Sequence, residues 1–294
     1  MRWRRRGRSR DILDRRGAPG GGGGIGPIAI GGGIGLPAIL VLVVVLLVNG
    51  GLGGESGAGI DNPLDGLQVD DSQQAPLEGP DPDKRLVEFM SFVLDDVQGF
   101  WTDTMVHSDR DYRRAKLVLF ESSTSSACGG ATEQIGPHYC PADENVYIDL
   151  DFFRALRDRF DAPGDFAQAY VLAHEIAHHV QNVTGISGQV HSQQRDDPGA
   201  ANELSVRLEL QADCLAGVWA FTVYERELLE SGDLEEGLNA AAAVGDDRIQ
   251  QEATGRIDRE TWTHGSSEQR MRWFQTGYED GDPNDCDTFS TDSL

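Results

Sequence analysis

A mainly α fold with a small β-sheet (α+β) follows from three features of the chain. Apolar residues recur at helical spacing through most of the region after Lys84. Runs of β type are confined to Lys116–Phe120 and Asn145–Leu150, which flank a Ser-, Gly-, Cys- and Pro-rich segment and can pair with each other. No internal repeat is present. In order, Leu86, Val87, Met90, Val93, Leu94 and Val97 mark an amphipathic helix from Lys84 to about Gly99. The two strands come next. A helix over 152–160 is broken at Ala162-Pro-Gly164, a long helix runs from Asp165 to about Thr184, and another spans about Ala200 to Glu230. Shorter helices are expected at 233–244, 245–253 and 266–278.

With 294 residues the chain can bury a core without disulfide staples, and its net charge of −24 argues against a nucleic-acid partner, which requires a basic face. That charge is unevenly distributed. Residues 1–16 carry eight Arg against Asp11 and Asp14, a net +6, and the remainder carries −30. Between Arg16 and Glu55 no residue is charged, and the centre of this stretch, 34–48, is almost wholly aliphatic. The pattern predicts a cytoplasmic Arg- and Gly-rich leader (1–24), a transmembrane anchor (25–50), a flexible tether (51–83) and a folded domain (84–294) outside the cytoplasm, a single-pass topology in the cell membrane. A cleaved signal peptide is the main rival, but the Gly-rich start and the lack of an A-x-A site favour an uncleaved anchor.

All four Cys lie beyond that segment. An even count on the exported side suggests two disulfides; of three possible connectivities, Cys128–Cys140, closing a loop, and Cys214–Cys286, tying the chain's end to its body, are expected. Four buried thiols are the bland alternative, and the absence of a C-x2-C pair weakens a Cys-bound metal.

The chemistry concentrates in His174-Glu-Ile-Ala-His178. Spacing of i, i+4 puts both imidazoles on one helix face, where they can bind one Zn2+ per chain, with Glu175 set to act as general base. Catalytic zinc takes three protein ligands, and Glu209-Leu-Gln-Ala-Asp213 supplies the candidate third, Glu209, with Asp213 able to accept from the far ring nitrogen of a ligand His. Asp213 is the alternative ligand. Glu203 has Arg207 four residues on and reads as a surface pair. His264, in a loop that opens the last helix, can donate to an oxyanion, although a His at a helix start is often structural. Arg270, on that helix, can orient a carboxylate or a carbonyl. His179 faces away from the motif, and His107, His138 and His191 have no partners in sequence.

Cys140-Pro-Ala-Asp143, Val146-Tyr-Ile-Asp-Leu150, the stretch from Ala162 through His174 to Asn182, Arg207-Leu-Glu-Leu-Gln-Ala-Asp-Cys214 and Thr263-His-Gly-Ser-Ser-Glu-Gln-Arg270 together resemble the bacterial neutral zinc metallopeptidase family of YpfJ type, over about residues 85 to 290 plus the Arg-rich start and single anchor. More distantly, the H-E-x-x-H with a later E-x-x-A-D resembles the gluzincin peptidases, several of them membrane-bound. The resemblance implies a zincin-like metallopeptidase domain, His174, His178 and Glu209 as zinc ligands, Glu175 as base, and His264 near the reaction. The membrane-bound gluzincins have several spans where one is expected here, so their substrates do not carry over. The expected function is therefore a membrane-anchored zinc endopeptidase acting on protein or peptide substrates. A non-catalytic zinc-binding envelope scaffold is the alternative, for which Cys214 would have to serve as a fourth ligand, and a hydrolase of amide bonds outside peptides is compatible with the same residues.

Overall fold

The computed structural model describes residues 1–4, 7–17, 77, 79–108, 110–132 and 136–294. Its elements are β1 (Ile12–Asp14), α1 (Lys84–His107), β2 (Lys116–Phe120), β3 (Ser123–Ser126), β4 (Gly129–Thr132), β5 (His138–Cys140), β6 (Asn145–Asp149), α2 (Asp151–Asp158), α3 (Asp165–Val183), α4 (Ile186–Asp196), α5 (Ala201–Glu225), α6 (Asp233–Ala243), α7 (Asp246–Thr254) and α8 (Ser267–Asp280). The fold is mainly helical with a small sheet, as expected.

The sheet has the order β1-β2-β6-β5. The two expected strands pair in parallel, Leu117 opposite Val146 and Leu119 opposite Ile148, and β5 closes one edge antiparallel to β6. Alternation along β2 and β6 divides the apolar residues between two faces. Leu117, Leu119, Val146 and Ile148 join the main core under the helices, while Val118, Phe120 and Tyr147 form a second cluster with Leu13, Ala131 and Cys140. Both faces are thus covered, which is why these strands read as continuous apolar runs. The β3–β4 hairpin contributes Ala131 to the second cluster and is stapled to β5 by Cys128–Cys140.

Among the helices, α5 and α8 pack closest: a Cβ at Gly217 would overlap the Phe274 carbonyl, and one at Gly277 the Cys214 carbonyl. The α3 helix runs through the middle, buried at Phe166, Tyr170, Ala173, Ile176, Ala177 and Val180 and packed on α1, α5 and α6. Helix α8 starts with a capping box, Ser266 accepting from the Gln269 N–H and Gln269 returning a bond to the Ser266 N–H, and ends at Gly281 in the left-handed region. The Cys214–Cys286 disulfide ties the chain's end to α5, and both expected pairings are present.

Several boundaries differ from expectation. Helix α1 passes Gly99 and continues to His107 because Trp101 and Met105 prolong its buried face. The helix expected over 200–230 stops at Glu225, and α4 precedes it as a separate helix. The largest correction concerns residues 1–17, expected as a leader apart from the domain. They are packed into it: β1 adds to the sheet edge in parallel with β2, Ile12 opposite Leu117 and Asp14 opposite Leu119. The Met1 α-amino group lies 2.8 Å from Asp165 and 3.0 Å from Asp233, and these carboxylates raise its pKa to about 10 against the opposing effect of burial. Asp81, in the expected tether, is docked too, 2.8 Å from Arg16. The expected anchor at 25–50 lies outside the described residues; among the described ones no helix is long and apolar enough to cross a membrane.

Candidate metal centre

Three side chains from two helices converge. His174 and His178, one turn apart on α3, point their Nε2 atoms at Glu209 on α5, at 3.2 Å (Oε2) and 3.4 Å (Oε1), and lie 3.2 Å from each other. Nitrogen and oxygen ligands at roughly 2.0–2.2 Å from a tetrahedral zinc must sit about 3.3 Å apart along the edges of the tetrahedron. The donor set therefore fits zinc in both identity and spacing.

The far nitrogen of each imidazole is engaged. His174 Nδ1 lies 2.8 Å from Asp213 Oδ1, and His178 Nδ1 lies 2.8 Å from the side-chain amide oxygen, Oε1, of Gln181. Acceptors at Nδ1 hold the proton there and leave the Nε2 lone pairs aimed into the site. Asp213 is fully buried and itself held: the Tyr170 hydroxyl donates to Oδ1 at 2.5 Å, and Arg270 donates to Oδ2 at 2.8 Å and Oδ1 at 2.9 Å. Arg270, 3% exposed, is thus committed to Asp213 and not directed outward at a substrate. Gln181 donates to the Leu208 carbonyl at 2.7 Å and to Gln211 at 3.1 Å, and Gln211 in turn donates to the Cys286 carbonyl at 3.0 Å. A continuous chain of hydrogen bonds thus leads from His178 across to α5, beside Glu209, and on to the C-terminal disulfide.

Electrostatics favour a bound cation. Burial alone would raise the Glu209 carboxyl, but the imidazoles of His178 and His174 overcome it and hold the group well below its ordinary value. Burial opposes charge on His174, yet Asp213 and then Glu209 prevail and lift its pKa to about 9. Glu175 follows His174 on α3, 7% exposed, and among the described residues no protein group is paired with its carboxylate.

His264 sits in the loop before α8, and Asp246, the first residue of α7, builds that loop. Its Oδ2 accepts from the backbone N–H groups of Thr263 (2.7 Å), His264 (2.7 Å) and Gly265 (3.1 Å), and its Oδ1 lies 3.2 Å from His264 Nδ1. Gly265, at φ +88°, packs against Val206 and Leu210, which bracket Glu209 on α5. Burial would lower the His264 pKa, but Asp246 and the charge of Glu209 raise it.

The structure thus brings together His174, Glu175, His178, Glu209, Asp213 and Arg270, and seats His264 against the Glu209 turn. Glu203 pairs with Arg207 at 2.8 Å on the surface, as expected. His179 is buried between Tyr139 and the Arg113 carbonyl, and His138 stacks on Tyr147; neither joins the centre. Cys214, the candidate fourth ligand, is in its disulfide. Sequence reasoning missed Gln181 and Asp246. The first had a usable signal, since it stands three residues after His178 and shares its helix face. The second, 18 residues before His264, had none.

Comparison with known proteins accords with this geometry. Residues 1–289 match the protein family described as "Putative neutral zinc metallopeptidase". The uncharacterised YpfJ protein of Escherichia coli K12 is 42% identical over 294 residues, covering 98% of this chain and 99% of its own. The uncharacterised Rv2575 protein of Mycobacterium tuberculosis is 50% identical over 194 residues, covering 62% of this chain and 65% of its own. No solved structure matches. With a family match that takes in the N-terminal strand as well as the metal centre, and a relative aligned along nearly its whole length, the chain belongs to this neutral zinc metallopeptidase family.

Proposed function

We propose that the protein hydrolyses peptide bonds in protein or peptide substrates, with one Zn2+ held by His174, His178 and Glu209. The observation that carries this reading is the convergence of three donors, the two Nε2 atoms 3.2 Å apart and one Glu209 oxygen facing each of them at 3.2 and 3.4 Å, beside a carboxylate that no protein group among the described residues engages. When bound, the ion supplies Lewis acidity, polarising the scissile carbonyl and making water acidic enough to attack near neutral pH. Glu175 takes the proton of the attacking water and delivers it to the departing amine. His264, its Nδ1 held by Asp246, presents Nε2–H to the negative charge that develops on the carbonyl oxygen. Asp213 and Gln181 keep the two imidazoles in the ligand tautomer, and Arg270 compensates the buried charge of Asp213.

Two features weigh against a zinc-binding scaffold. A closed structural site wants four protein ligands, and the disulfide withholds Cys214 from that role. The same disulfides favour an oxidising compartment, so the proposal includes an extracytoplasmic domain. Glu175→Gln tests the mechanism. Peptide hydrolysis should fall by about 10²–10⁴-fold, the range general acid–base catalysis contributes, with zinc content unchanged. Full activity in the variant would remove the mechanism, and loss of zinc would make Glu175 a ligand.

A further inference from the structure

The uncharged stretch that reads as an anchor has both of its flanks in one folded unit. On its N-terminal side, β1 is hydrogen-bonded into the sheet, with Leu117 N–H donating to the Asp11 carbonyl and Arg15 N–H to the Leu119 carbonyl, both at the sheet edge. On its C-terminal side, Asp81 receives Arg16 through two hydrogen bonds, Nη1 to Oδ1 at 3.0 Å and Nη2 to Oδ2 at 2.8 Å. The chain therefore leaves the domain at Arg16 and has returned to the same spot by Asp81.

The leader's contacts are too many and too buried to be incidental. Asp11 is held by Arg114 at 2.7 Å and Lys116 at 2.8 Å, Ser9 donates to Asp95 at 2.8 Å, and Trp3 packs on Phe89. Ile12, Asp11, Asp14, Arg15 and Arg16 are all buried. Moving residues 1–17 across a hydrocarbon layer of ~30 Å would strip β2 of its neighbour and leave Asp11 and Arg114 without each other. Among the eight arginines that read as a cytoplasmic address, Arg16 pairs with Asp14 and Asp81, Arg8 pairs with Asp14, and Arg15 donates to the Ser125 carbonyl. A positive-inside argument presumes charges that are free to choose a side. The family match spans residues 1–289 and so takes in leader and domain alike.

We infer that residues 1–17 and the metal-bearing domain lie on the same side of any membrane this protein meets. The single-pass topology read from charge and hydropathy would place the two on opposite sides; the inference stands independently of zinc binding or hydrolysis.

The test uses the full-length chain in a bacterial host, with Arg10→Cys in the leader and Val106→Cys in the domain, each compared with the parent chain. Both positions are exposed, Val106 by 65%. Intact cells and spheroplasts are treated with a membrane-impermeant maleimide before and after lysis. The two variants should behave alike in every preparation, both labelled or both protected until lysis. Labelling of one with protection of the other would overturn the inference. Should either variant fail to accumulate, the thermal midpoints of Arg16→Ala, Asp81→Ala and the double variant decide. The loss in the double variant should be smaller than the sum of the two single losses, because the two ends of the stretch meet; additive losses would show that they do not.

Discussion

The metal centre and the N-terminal strand both take charge out of water, yet they balance it in opposite ways. In the centre two carboxylates, the partly buried Glu209 and the fully buried Asp213, share one guanidinium, Arg270, and the other partners of Glu209 are imidazoles. Along the strand the acids are matched by bases: Asp11 has Arg114 and Lys116, and Asp14 and Asp81 share Arg16 with Arg8 alongside. A cluster whose negative charge is left incomplete by protein partners is suited to recruit a cation, whereas a balanced one is suited to hold segments together. Buried charge alone does not mark a functional site; its imbalance does.

Substitutions should separate the two regions by what they remove. The largest effect is expected from Glu209→Ala, which removes one of the three converging donors: zinc content measured by elemental analysis should drop to background and hydrolysis with it, while the far-ultraviolet circular dichroism of the chain is kept. Retention of stoichiometric zinc would break the assignment of this residue. In the strand the loss should fall on the fold. Ile12→Asp places an unpaired charge at a position 3% exposed and should cost about 3–5 kcal/mol in urea unfolding. Peptidase activity per folded molecule should persist. An unchanged unfolding midpoint would show that β1 does not hold the sheet edge.

Gln181→Leu should weaken zinc about 10–100-fold in chelator competition, the usual cost of losing an outer hydrogen bond to a ligand His, and cost about 1–3 kcal/mol in unfolding because the buried Leu208 carbonyl and Gln211 lose their donor. The smallest expected effect is that of Asp246→Asn. Asp246 holds the His264 pKa above its ordinary value, so the donor form persists to higher pH and is lost as pH rises through that raised pKa. Removing the carboxylate's charge should move the alkaline limb of kcat/KM to lower pH. An unmoved limb would take His264 out of the reaction.

The two regions also differed in how plainly the sequence displayed them. His174, Glu175 and His178 are bound by the pitch of one helix, and Glu209 and Asp213 repeat the same spacing on the next, so their faces follow from local geometry. The disulfide pairs were legible from the order of the Cys and the loops they close. In contrast, Asp11 meets Arg114 across 103 residues and Met1 meets Asp165 across 164. A three-residue strand has too little alternation to register as a pattern, and its charges, seen in sequence, resembled an address.

Periodicity and motif spacing were enough to specify a mainly helical domain with two central strands, a zinc-suited pair of helices and two disulfides, because each depends on contacts within a turn or two of the chain or on the count of a rare residue. Folding in three dimensions decided the rest. It set Asp246 beneath the His264 loop, committed Arg270 to Asp213, and drew residues 1–17 into the sheet beside Asp81. Such contacts join segments that are remote in sequence and unremarkable one by one, and only close packing makes them neighbours.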